Sequence, residues 1–106
     1  MLEFIDLSGM TDSEVYNKAQ MTRQMFHKIK TLPNYLPTKQ NICAFAIALE
    51  LNFEQTNELL SSAGYVLSRS FEFDRIIEDA ILHGNYDIFN INEKMYELGI
   101  SWLGAK

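Results

Sequence analysis

The sequence predicts an all-α domain, and three observations carry that prediction. Apolar residues recur at helical spacing between glycine and proline stops. Residues that cap helices stand where the apolar stripes begin. No segment sustains the alternation of apolar and polar residues that a half-buried strand requires.

Seven helices are expected. A short first one holds Leu2, Phe4 and Ile5 and stops before Gly9. Beginning almost at Met1, it suits a domain cut from a longer polypeptide as well as it suits a natural start. Thr11-Asp12-Ser13-Glu14 has the spacing of a capping box, so the second helix should run over residues 12–19, with Val15, Tyr16 and Ala19 inward. A break at Gln20-Met21 follows. Thr22 is the expected cap of a third helix over residues 23–31, where Phe26 and Ile29 point inward and Met21 packs from the turn. Pro33 and Pro37 then impose an extended loop over residues 32–37.

Thr38 caps the fourth helix, expected over residues 39–51. Ile42, Ala46 and Leu49 make its stripe, Phe45 lies beside it, and its alanines suit close packing at the centre of the core. Asn52, with Gln55 three residues on, opens a fifth helix that buries Phe53, Leu59, Leu60 and Ala63 and stops at Gly64. Residues 72–83 place Phe73, Ile76, Ile77, Ala80 and Ile81 on one face before Gly84. Residues 87–98 place Ile88, Ile91, Met95 and Leu98 on a stripe before Gly99.

Length and composition agree. A chain of 106 residues, 47% hydrophobic and 22% charged, suffices for one core without staples. The longest apolar run, residues 42–49, is too short to span a bilayer, so no membrane association is expected. No basic-then-apolar leader is evident, and the lone Cys43 sits in that same apolar run as a small hydrophobe, which together predict a cytoplasmic protein.

Charge is the feature that points to function. Residues 1–14 carry four acids and no base, and residues 50–106 carry ten acids and four bases. Residues 15–49 carry no acid, but hold Lys18, Arg23, Lys28, Lys30 and Lys39. The basic segment thus falls on the helix, short turn and helix of residues 12–31, a surface suited to an anionic partner although the chain nets −5.

A helix, a tight turn, a second helix and two further core helices is the arrangement of helix-turn-helix DNA readers. The run from Asp12 to Lys30 resembles the phage-repressor-like (Xre-type) family. The resemblance rests on small Ala19 near the end of the first helix of the pair, apolar Met21 in the turn, hydroxylic Thr22 opening the next helix, and apolar Phe26 and Ile29 three apart within it. Ala44 to Phe53 looks like that family's fourth helix and the start of its fifth. Where the family usually has a glutamine or similar polar residue early in the second helix, Ser13 and Glu14 stand here, and Gln20 stands where a small residue is usual. The resemblance implies a five-helix core over residues 1–65, followed by a two-helix extension over residues 66–106 of the same single domain.

A narrower resemblance runs from Gly9-Met10-Thr11-Asp12-Ser13-Glu14-Val15-Tyr16 through Phe26-His27-Lys28-Ile29-Lys30 and Pro33-Asn34-Tyr35 to Asn85-Tyr86-Asp87-Ile88-Phe89-Asn90-Ile91-Asn92-Glu93. It is to a small bacterial domain found alone or appended to other modules, including the macro domains of ADP-ribose hydrolases. That resemblance implies a recognition or targeting module, such as a detached C-terminal tail of an ADP-ribose-processing enzyme.

If DNA is the partner, chemistry assigns the roles. Arg23, Gln24, His27 and Lys28 would reach base edges from the third helix; Arg bonds guanine bidentately and Gln bonds adenine likewise. Thr22 would offer its hydroxyl and the helix-start amides to a phosphate, and Lys18, Lys30 and Lys39 would neutralise others. Transcriptional regulation is the usual outcome of such binding. Structured RNA offers the same phosphates. Asn34 and Tyr35 are either a spacer against the core or further backbone contacts.

The C-terminal Trp102 and Leu103 either fold back onto the last two helices or, with Ile88, Ile91 and Met95, form a homodimer or protein-partner contact. No metal site, cofactor or catalysis is expected. His27 and His83 lack ligand spacing, Ser61 and Ser62 have no activating histidine, and Asp74, Glu78, Asp79, Asp87 and Glu93 read as caps and a solvated face.

Overall fold

The computed structural model describes residues 9–31 and 38–100. These form six α-helices, and no strand occurs among them: α1 (Asp12–Lys18), α2 (Arg23–Thr31), α3 (Lys39–Ala48), α4 (Phe53–Ser62), α5 (Glu72–Leu82) and α6 (Ile88–Glu97). The fold is all-α. The expected first helix, the loop of residues 32–37 and the Trp102-Leu103 tail lie outside the described residues.

The caps are the ones the sequence offers. At α1 the Thr11 hydroxyl accepts from the Glu14 amide at 3.2 Å, and the Glu14 carboxylate accepts from the Thr11 amide at 3.1 Å. Those bonds from Thr11 hold the Glu14 carboxyl below its ordinary range. Asn52 and Gln55 make the same reciprocal pair at α4. Thr22 accepts from Met25 N at the start of α2, Thr38 from Asn41 N at α3, and Asp87 from Phe89 N and Asn90 N at α6.

Stops are equally regular. The second residue after α4, α5 and α6 is Gly64, Gly84 or Gly99, each at positive φ, and the paired backbone bonds that close the last turn are present each time. The ends of α1 and α3 are built the same way without glycine. Gln20 at φ 57 donates its amide to Asn17 O, and Met21 to Tyr16 O; Glu50 at φ 54 donates to Ile47 O, and Leu51 to Ala46 O. The fourth helix therefore ends at Ala48 and not at residue 51 as the periodicity suggested, because a left-handed residue breaks it at Glu50.

α3 is the hub. Every residue from Asn41 to Leu49 is buried, including both faces of the helix, so its apolar stripe is a full cylinder. α1, α4 and α6 pack directly on it, and α5 bridges α4 and α6. Its small Ala44, Ala46 and Ala48 let neighbouring backbones approach. Cys43 is enclosed here, and burial pushes its thiol up to about 12, so it packs as a hydrophobe and offers no thiolate.

The core is continuous across residue 65, from Val15 in α1 to Met95 in α6. Ile88, Ile91 and Met95 are 4, 0 and 0% exposed, which corrects their assignment to a partner interface: this stripe is consumed inside the monomer. Leu98, expected on the same stripe, is 53% exposed beyond the end of α6. Asp74 is a second correction. It is 2% exposed, not part of a solvated face.

Two stability predictions follow from this packing. Ile91→Ala, by opening a cavity in the shared core, should cost about 2–5 kcal/mol in urea unfolding and should lower all helical signal in one transition. Gln20→Gly should raise stability by about 0.5–1 kcal/mol, because the left-handed backbone strains a side chain that glycine lacks; an unchanged or lower melting temperature would contradict this.

Candidate nucleic-acid interface

α1 and α2 meet through a four-residue connection, Ala19 to Thr22, tightened by the left-handed Gln20. Met21 and Ala19 are buried beneath it. An aromatic relay fixes α2 to the hub. The Tyr16 and Phe26 rings lie 5.6 Å apart, and Phe26 and Phe45 lie 5.8 Å apart, both pairs tilted. Asn41 at the start of α3 adds a weak bond to Met25 Sδ at 3.7 Å. Phe26 is buried and Met25 and Ile29 are half-buried on the inner face.

The outer face is polar. Thr22, Arg23, Gln24, His27, Lys28, Lys30 and Thr31 are all exposed, and none of them is acidic. Arg23, His27 and Lys30 follow one another at helical spacing, with Gln24 and Lys28 alongside. With Asp12, Ser13, Tyr16 and Phe26 they line an open groove of about 710 Å³ between α1 and α2. Arg23, Gln24, His27, Lys28 and Lys30 are thus brought together as the sequence suggested.

The three lysines assigned to phosphate do not share one situation. Lys30 is paired with the Asp12 carboxylate at the rim of the groove. Lys18 donates to Glu50 at 2.8 Å and borders a different groove, formed with Met10, Glu50 and Tyr86, which removes it from the α2 surface. Lys39 is redirected furthest. Its ammonium lies 2.8 Å from the buried Asp74 carboxylate, which also accepts from Ser68 N at 2.7 Å. A charge so enclosed is a structural tie between α3 and the segment entering α5, not a phosphate contact. No described carboxylate pairs with Arg23 or Lys28.

Tyr16, Asp12 and Ser13 belong to the groove and were not singled out from the sequence. Tyr16, which its place on the stripe of α1 assigns to the core, is half-buried: its ring packs on Phe26, and the residue also lines the groove. The signal was its place one residue after the buried Val15, at the edge of the apolar stripe.

No family model, curated protein or solved structure matches this chain. No helix among the described residues is long and apolar enough to cross a membrane.

Removing Lys39 should act on stability. Lys39→Ala leaves the Asp74 carboxylate enclosed with, among the described residues, the Ser68 amide alone and should cost about 2–3 kcal/mol, against less than about 1 kcal/mol for Lys18→Ala at the exposed pair. Chemical denaturation of the two variants side by side checks the order; equal losses would mean that the enclosed pair is no stronger than the exposed one.

Proposed function

We propose that the domain is a non-enzymatic nucleic-acid-binding module that works through the outer face of α2, with DNA as the leading partner and transcriptional regulation or nucleic-acid targeting as its role. One observation carries this reading: α2 exposes Arg23, His27, Lys28 and Lys30 beside Gln24, with no acid of its own, on a chain that is otherwise acidic. An acidic body with one basic face orients the molecule, since like charge repels the rest of its surface from phosphate. Arg23 and Gln24, in the first turn, carry the side chains best suited to base edges. Lys28 and Lys30 serve as phosphate contacts, and the Thr22 hydroxyl can donate to another while it accepts from Met25 N. The phage-repressor-like resemblance of residues 12–30 supports the same reading.

A second reading, a protein-docking or targeting module such as the detached tail of an ADP-ribose-processing enzyme, draws on a different surface. Phe89 and Tyr96, 67 and 69% exposed, lie two turns apart on the outer side of α6. An apolar pair of that kind suits protein contact.

Titration of the protein into fluorescent random-sequence DNA at two salt concentrations separates the readings. Binding should weaken with salt with a logarithmic slope of about −2 to −3, the value for about three neutralised phosphates. An Arg23→Glu, Lys28→Glu double variant should bind at least about tenfold more weakly with an unchanged melting temperature, since neither side chain has a described ion-pair partner. Absence of binding at low salt, or binding indifferent to the double variant, would remove nucleic acid from this face.

A further inference from the structure

Resting on that reading, we propose that the α1–α2 groove takes an unpaired nucleotide with its base stacked on Tyr16, so that the preferred partner is single-stranded nucleic acid and not a duplex. Four features of the groove lead there.

The first is shape. A helix that reads a duplex major groove presents a ridge. Here the exposed side chains of α2 border a hollow whose opposite wall is Asp12, Ser13 and Tyr16 of α1. Its volume of about 710 Å³ falls within the range of pockets that hold small ligands.

The second is aromatic. Tyr16 lines this hollow, and its ring is held against Phe26, which is in turn held against Phe45 of the hub. A half-buried ring braced from behind is a preorganised stacking platform, and every base has a π-face to offer it. The planar groups of Arg23 and His27 line the same hollow and can cover the other face of a base.

The third is charge. Lys18 and Lys39 lie away from the groove, which keeps Arg23, Lys28 and Lys30, the last of them shared with the Asp12 carboxylate. A duplex presents a charge about every 1.7 Å from two strands, whereas three cations match about three phosphates of one strand.

The fourth is Asp12. One carboxylate oxygen holds Lys30, and the other has no partner among the described residues. A carboxylate at the rim opposes a phosphate but accepts from an exocyclic amine or ring N–H on a base. An exocyclic amine keeps one such donor in a duplex, but a ring N–H is free only when the base is unpaired.

The experiment compares one random-sequence oligonucleotide pool as single strand and as duplex, by fluorescence anisotropy at low salt. The single strand should bind about tenfold or more tightly. Tyr16→Leu should weaken single-strand binding by about 5- to 100-fold, whereas Tyr16→Phe, which keeps the ring, should bind like the parent. Photo-cross-linking of single strands carrying 5-iodouracil to the unaltered protein should give an adduct on Tyr16, and this decides the matter if Tyr16→Leu does not fold. Duplex bound as tightly as single strand, or adducts on other residues alone, would overturn the unpaired base and leave the α2 surface as a nucleic-acid site. Failure of both forms to bind would remove the proposed function together with this inference.

Discussion

The enclosure of α3 is the constraint from which the rest of the structure follows. A helix buried on all sides needs partners around its whole circumference, and α1, α4 and α6 supply them from both ends of the chain. Fully buried Phe45 and Ile47 are each worth about 1.5–3 kcal/mol when removed from water. Such burial fixes neighbours as well as stabilising them. Phe45 reaches Phe26, and Phe26 reaches Tyr16, so the rigid centre extends to the inner face of α2 and from there to the wall of the groove. The outer face of α2 can be given over to polar residues because its orientation is set from below.

Ion pairs refine this arrangement and do not drive it. Lys18–Glu50 ties the end of α1 to the turn after α3, and each of these helices closes on a left-handed residue other than glycine, the two such positions among the described residues. Lys39–Asp74 ties the start of α3 to the entry of α5. Both cations belong to the acid-free segment of the sequence, yet each meets an acid from a distant one. The segregation of charge along the chain is therefore stronger than the segregation on the surface, and the basic face is narrower than the basic segment.

Most of the helical framework was legible in the sequence because its signals are local. Capping pairs such as Thr11 with Glu14 and Asn52 with Gln55 act over three residues, and glycine stops act at one. What was not legible is what depends on contacts far apart in sequence. The end of α3 is one such feature, because Glu50 carries no turn signature of its own; its left-handed backbone closes the helix with bonds that any residue can make. Asp74 read as a solvated acid because its partners, Lys39 and Ser68, are brought to it only by the packing of α5. Ile88, Ile91 and Met95 have the same spacing whether a stripe meets a partner or its own core, and only the position of α6 against α3 decides. Of the candidate site, the exposed row on α2 was evident from periodicity, and the hollow facing it was not, since a concavity belongs to two helices at once.

The dependence of α3 on α6 has a consequence for the order in which the molecule can assemble during synthesis. The ribosome releases α1, α2 and α3 before α6, so the enclosure of α3 is completed only once Ile91 and Met95 have emerged. Until α5 packs, Lys39 lacks the Asp74 carboxylate that encloses it. The charge at the start of α3 is thus settled later than that of the α1–α2 groove, whose Lys30–Asp12 pair needs those two helices alone.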